Sequence, residues 1–304
     1  MKHLSFGLIF LLTLTLSACH KKAKKNVVPE TRTSGTTTLL VDESFARILD
    51  AQIMVFKSDY PDATIKTIPG DENKILPTFL NGKVQMIILS RMLKPAEEEY
   101  YKQKQIPIFT DRFAIDGIAL ITNASNIDTN ITVSEVFDIL KGTSKSGKKL
   151  VFDNAYSSTI RYFTDSAKIK VLPKEGVYTL HSNNEVIKYI ATHNDYIGVV
   201  GVNWLLENNK DILSYLPKVK TMGVKNLTGK KGDDAYYKPL QKNLINGFYP
   251  FLRNVYLING EGRNGLGTGF ANWLNSPRGQ LIVLKSGLGP HKMLSRDFNI
   301  RNTK

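Results

Sequence analysis

"TTTLLVDESFARILDAQIMVF", residues 36–56, places two periodicities back to back. Thr36 to Val41 is a β-branched and aliphatic run that reads as a buried strand. From Ser44 to Asp59 the apolar residues Phe45, Ile48, Leu49, Ile53 and Phe56 recur at helical spacing on one face. Pro61 stops that helix. Working outward, Ala63 to Ile68 reads as a second strand, and Gly70-Asp71 turns the chain into a short helical stretch ending near Gly82. Val84 to Leu89 is a third strand that delivers Ser90-Arg91 at its C-terminal end. Pro95 to Gln105 reads as a charged, solvated helix, and Phe113 to Asn123, "FAIDGIALITN", as a long strand. Strand and helix in alternation predict parallel sheets with helices on both faces, an α/β protein.

The second half repeats the pattern. Val133 to Leu140, Ile160 to Ala167 and Asn184 to His193 read as helices, and Leu150 to Phe152, "YIGVVG" (196–201), Lys218 to Val224 and Asn254 to Asn259 as strands. Gly269 to Ser276 and Gly279 to Ser286 close the chain as helices. Trp204 and Trp273 fall in helical apolar patterns and are assigned to the core. After residue 33 there is no internal repeat and no low-complexity tract.

The N-terminus is of a different kind. Met1-Lys2-His3 is a polar head, and Leu4 to Leu16 is almost wholly apolar or Thr/Ser, too short a run to cross a bilayer core of roughly 30 Å as a helix. Residues 1–18 therefore read as a signal peptide. The segment Leu16-Ser17-Ala18-Cys19 resembles a bacterial lipobox, and Cys19 is the sole cysteine, so no internal disulfide can use it. The expectation is a mature chain that begins at an acylated Cys19 and is held to the membrane by a flexible tether, residues 19–33. The formal net charge is +14, one less without Lys2. Its basic residues are spread along the chain without aromatic interleaving, so no nucleic-acid partner is expected. The charge reads as a field that favours anions or a nearby anionic lipid surface.

Open α/β sheets bind ligands beyond the carboxyl ends of their strands. Four loops fall there: Asp42-Glu43-Ser44, Gly70-Asp71, Ser90-Arg91 and Asp153 through Thr159, the last within "VFDNAYSSTIRYF" (151–163). Several of them open helices, whose first N–H groups lack partners within the helix and can cradle an anion. Ser44 or Ser157 alone would read as a helix N-cap; the coincidence of four loops is what points to a site. No metal or cofactor is expected, because His3, His20, His181, His193 and His291 lie far apart without ligand spacing. "GTSKSGKK" (142–149) nearly spells a P-loop, but it ends in Lys149 and follows a helix. Ser157-Ser158 lacks the flanking glycines of a nucleophile elbow, and no base–nucleophile pair is visible, so an enzyme is not expected.

From Thr36 to Pro290 the chain resembles the Pst-type substrate-binding proteins of ABC phosphate importers. The matching segments are "ILSRML" (88–93), "FAIDGIALITN", "TVSEVFDILKG" (132–142), "YIGVVG", "YPFLRNVYLI" (249–258) and "GFANWLNSPRGQLIVLKSGLGP" (269–290). The resemblance implies a two-lobed type II periplasmic-binding-protein fold, each lobe a mainly parallel sheet flanked by helices. Two strands would cross between lobes, near Ile115 to Thr122 and Tyr249 to Leu257. Lobe 1 would comprise residues 34–118 and 252–304, and lobe 2 residues 119–251, with the ligand in the cleft. The strand-end loops supply the candidate ligand contacts: Glu43, Ser44, Gly70, Asp71, Arg91, Asp153, Ser157, Ser158 and Thr159.

Two positions depart from the family pattern. Where the family has an arginine at the head of its Arg-x-x-x-Ser-Gly-Thr loop, this chain has Asp153, and where the family has an aspartate after the first-lobe serine it has Arg91. The expectation is an exchanged pair facing across the cleft, with Arg91→Ala more harmful to binding than Ser44→Ala. A carboxylate only accepts hydrogen bonds, so it favours a ligand that still carries a proton, such as hydrogen phosphate, over sulfate. The implied function is a monomeric, lipid-anchored binding protein of the cell envelope, facing the periplasm, that passes inorganic phosphate to an ABC permease. Two other readings stand beside it: a binder of another small oxyanion or phosphate ester, and a surface lipoprotein that kept the fold and lost the ligand.

Overall fold

The computed structural model describes residues 29–206 and 209–292. The signal peptide, Cys19 and the last residues assigned to lobe 1, 293–304, lie outside the described residues. In chain order the strands are β1 (Gly35–Asp42), β2 (Ala63–Gly70), β3 (Met86–Leu89), β4 (Phe109–Asn123), β5 (Asn130–Thr132), β6 (Lys149–Phe152), β7 (Val177–Thr179), β8 (Tyr196–Gly201), β9 (Val219–Thr221), β10 (Gly223–Lys225), β11 (Leu252–Asn259) and β12 (Gly289–Pro290). The helices are α1 (Ala46–Asp59), α2 (Glu72–Leu80), α3 (Glu99–Gln103), α4 (Val133–Leu140), α5 (Ser158–Ala167), α6 (Asn183–Ile190), α7 (Gln241–Ile245), α8 (Leu266–Leu274) and α9 (Pro277–Lys285).

Strand order runs β2-β1-β3-β11-β4 and continues β8-β6-β7. β1 lies parallel to β2 and β3, and β6 parallel to β7 and β8. β4 and β11 are antiparallel to their neighbours. β4 pairs with β11 as far as Gly117 and with β8 from Ile118 onward, so one strand belongs to both sheets. The chain returns beside it, where the Ile118 N–H donates to the Phe251 carbonyl. The result is two lobes joined by paired strands, the fold that the family resemblance implied.

Each sheet is covered on both faces, which is why its strands are continuous apolar runs; all four residues of β3, "MIIL", are buried. In lobe 1, α1 and α8 cover one face, and Phe56 meets Phe270 and Trp273 edge-on at 5.1 and 5.5 Å. Phe79 and Tyr101 fill the other face. In lobe 2, Phe163 packs edge-on against Phe152 and Phe251, at 5.6 and 4.8 Å, while α6 covers the opposite face with Val186, Ile187 and Ile190.

Several elements differ from the sequence expectation. The helix expected from Pro95 to Gln105 shrinks to α3, because the first acid of its run, Glu97, turns back to accept from the Lys94 N–H and to pair with Arg91. The single strand expected from Lys218 to Val224 is two: β9 lies beside β4 and β10 beside β5, on separate sheets, with Met222 buried between them. Trp204 packs in the core of lobe 2 as expected, but from a 3-10 turn, Val202–Leu205, and its Nε1 reaches across to the Ser44 carbonyl. The end of the expected tether is docked on lobe 1: Glu30 pairs with Arg263 at 2.7 Å and Arg32 donates to Asn264 Oδ1 at 2.8 Å. A side chain at Gly269 would collide with the Arg32 carbonyl, so the close approach of these two segments depends on that glycine.

Candidate ligand-binding cleft

The strand ends of both lobes meet at one seam. After β1, Asp42 Oδ1 accepts from the Ser44 N–H at 3.1 Å and sets a 3-10 turn, Glu43–Phe45, that buries Ser44. Lobe 2 grips this turn from the far side, where Asn203 Nδ2 and Trp204 Nε1 donate to the Ser44 carbonyl at 3.2 and 3.1 Å. Opposite stands the N-terminus of α5. Its N-cap, Ser157, accepts from the Ile160 N–H at 3.2 Å, leaving Ser158 and Thr159 in the first turn with their hydroxyls in the seam. Ser44 Oγ and Ser158 Oγ are 3.3 Å apart, one from each lobe.

Beneath these hydroxyls lies an ion pair that local sequence reading missed. Arg253 of β11 and Asp116 of β4 are direct register partners. Their side chains are 1 % and 0 % exposed, with Nε donating to Oδ2 at 2.7 Å. Arg253 Nη1 donates to Ser158 Oγ at 3.1 Å and Thr159 Oγ1 at 3.3 Å, and the guanidinium lies 4.8 Å over the Phe45 ring. Arg253 Nη2, Asp116 Oδ1, Asp42 Oδ2 and Asn203 Oδ1 are buried without a partner among the described residues. Burial pushes the Asp116 and Asp42 carboxyls above the usual carboxylate range, with Arg253 pulling in the opposite direction on each.

Asp153 is buried and anchored within lobe 2. Its Oδ1 accepts from the Asn154 N–H at 3.0 Å and its Oδ2 from Asn183 Nδ2 at 3.1 Å. Burial raises its pKa, and hydrogen bonds from Ser157 and Asn154 partly offset the rise. Arg91 does not meet it, so the expected Arg91/Asp153 exchange is not what this seam contains. Arg91 donates from Nε to Glu72 at 2.7 Å, from Nη1 and Nη2 to Glu97 at 2.7 and 2.9 Å, and from Nη1 to the Met92 carbonyl at 3.0 Å. The reason is local: two lobe 1 acids, Glu72 just past Asp71 and Glu97 in the turn before α3, lie within reach of its fork.

The remaining candidates form the rim. Glu72 is shared between Arg91 and Arg161 of lobe 2, whose Nε reaches it at 3.0 Å while Nη2 donates to Ser90 Oγ at 2.7 Å and Nη1 to Asp165 at 3.3 Å. Asp71 accepts from Asn154 Nδ2 across the cleft at 2.6 Å and pairs with Lys74 at 2.7 Å. Burial raises its pKa, but the Lys74 and Asn154 bonds outweigh that and hold it below the ordinary value. Glu43 is pushed up by burial and then by the neighbouring Asp71, Asp153 and Asp42. Gly70 ends β2 beside them. The structure thus brings Ser44, Ser158 and Thr159 together, holds Asp153 and Ser157 in lobe 2's own hydrogen bonds, and leaves Gly70, Asp71 and Arg91 at the mouth.

Two α/β lobes, joined by paired antiparallel strands and closing strand-end loops over a seam, define a bilobal ligand-binding protein. The chain belongs to the PBP superfamily: the profile described as the PBP superfamily domain matches residues 26–278. The phosphate-binding protein PstS of Pseudomonas aeruginosa is 22% identical over 289 residues, covering 84% of this chain and 83% of the relative. PstS of Staphylococcus haemolyticus is 22% identical over 247 residues, covering 77% and 71%. Among solved structures, a protein from Clostridium perfringens with bound phosphate superposes with a TM-score of 0.68 at 19% identity, covering 85% of this chain and 100% of that one. An ABC-type phosphate transport receptor from Vibrio cholerae gives 0.64 at 16% identity, covering 84% and 100%. No helix among the described residues is long and apolar enough to cross a membrane.

Proposed function

We propose that this protein captures inorganic phosphate in the seam between its lobes and hands it to an ABC-type importer, acting as a binding protein and not as an enzyme. The observation that carries the reading is the convergence of Ser44 with Ser158 and Thr159, hydroxyls from opposite lobes, at the N-terminus of a ten-residue helix. Hydroxyls and helix N-terminal N–H groups are the donors a tetrahedral oxyanion needs, and donors from both lobes let the anion bias the closed state. The phosphate-binding relatives named above support the choice of ligand. Buried Asp42 and Asp153 accept hydrogen bonds, so the ligand they suit is one that retains a proton.

In this reading Cys19 carries lipid, residues 1–18 are removed, and the monomeric protein works at the membrane surface of the cell envelope, facing the periplasm. Lobe closure is the signal that the permease reads. Asp153, in the place of the family's arginine, favours a second reading in which the ligand is another protonated oxyanion or a phosphate ester. Calorimetric titration decides between them, using purified protein freed of bound ligand by unfolding and refolding. Phosphate heat with sulfate silent supports phosphate capture by a proton-selective site. Silence with phosphate and heat with a phosphate monoester supports the second reading, and silence with all three sinks both.

A further inference from the structure

We propose that Arg253, on the second crossover strand, is the cation that holds the captured oxyanion, with Nη2 as its donor. The inference rests on the capture reading above and adds to it the source of positive charge. Arg91, the cation expected from sequence, has Nε, Nη1 and Nη2 committed to Glu72, Glu97 and the Met92 carbonyl. Arg161 likewise spends its three nitrogens on Glu72, Asp165 and Ser90. Arg253 differs in two respects. It already touches the α5 hydroxyls, through Nη1 to Ser158 and Thr159. Its Nη2 is buried without an acceptor, which is costly for a charged donor.

The surroundings fix the fork in place. Asp116 holds Nε from below, and the Phe45 ring lies against the guanidinium plane. Nη2 lies near Gly201: a Cβ on that residue would lie 3.6 Å from Nη2 and 2.8 Å from Asn203 Oδ1. An oxyanion among Ser44, Ser158 and Thr159 would give Nη2 its acceptor, and the planar fork would recognise it in a way that an ammonium does not. The charge that binds the ligand then sits on a strand shared by the lobes and not on either lobe's own loop.

The test compares wild type with Arg253→Lys, which keeps a positive charge facing Asp116 and removes the fork. Calorimetric titration with inorganic phosphate is expected to show an affinity loss of about tenfold or more in the variant. Binding within about twofold of wild type overturns the proposal while leaving phosphate capture intact. No binding by wild type itself to phosphate, sulfate or a phosphate monoester overturns both. A second measurement is independent of any variant's folding: in wild type, the side-chain nitrogen resonances of Arg253 should shift on saturation with phosphate and those of Arg91 should not. Arg253 resonances that stay in place at saturation overturn the proposal.

Discussion

Two ion-pair networks cross or line the cleft, and they are built on opposite terms. At the floor, Arg253 and Asp116 face each other at 2.7 Å, wholly out of solvent, each with a side-chain atom left unpartnered. At the rim, Glu72 is divided between Arg91 and Arg161, and each guanidinium places all three nitrogens, with side chains 16 % and 29 % exposed. The rim is saturated and accessible; it can fasten the lobes but has little left to offer a ligand. The floor is unsaturated and dry, so its spare hydrogen-bonding capacity is the kind a bound group can complete. Charge count alone would have ranked the two the other way.

The largest expected effect comes from breaking the floor. Asp116→Ala leaves a buried guanidinium unpaired and is expected to cost about 3–5 kcal/mol in urea unfolding, whereas Asp116→Leu with Arg253→Met should recover most of it. If the single substitution proves as mild as the double, the pair is not electrostatically isolated from water. At the rim, Glu72→Ala strips both arginines of a shared acceptor and is expected to cost about 2 kcal/mol, read by the same unfolding, with small-angle scattering shifted toward the open form.

A smaller effect separates the floor by pH. Burial raises the Asp42 pKa above its ordinary 3.8, so its ionisation opposes folding. Wild type should therefore match Asp42→Asn below that pH and fall behind it as pH rises through the elevated value, read by urea unfolding across the pH range. The Asn side chain retains an oxygen for the Ser44 N–H, so a variant that is less stable at every pH would refute this assignment. The smallest effect is expected at Arg91→Lys: phosphate affinity within about twofold of wild type, measured calorimetrically, since Arg91 serves the rim. A loss of tenfold there would restore Arg91 as a ligand.

Much of the fold was legible because its signals are local. The run from Thr36 to Phe56 contains its strand and its helix in adjacent residues, and α4 spans the predicted Val133–Leu140. The serines of the site were legible for the same reason, since each ends a strand or opens a helix. The floor was not, because Asp116 and Arg253 are brought together only by the register of two strands 137 residues apart. A signal did exist: each is the lone charge within its crossover segment, and the two are opposite in sign. The Arg91/Asp153 exchange failed for the complementary reason. Family motifs place both residues near the cleft, but they carry no information on Glu72 and Glu97, the acids that Arg91 pairs with.

The position of β11 has a consequence for the order in which the molecule can be assembled. Among the described residues it is the last long strand in chain order, yet it lies in the middle of lobe 1's sheet, between β3 and β4. A growing chain that ends before residue 252 has all of lobe 2's strands in hand, while β3 and β4 face a gap with their backbone groups unpaired. Lobe 2, an unbroken segment, can close before β11 completes the sheet of lobe 1. Vectorial synthesis thus keeps lobe 1 unfinished until residues 252–259 have been added.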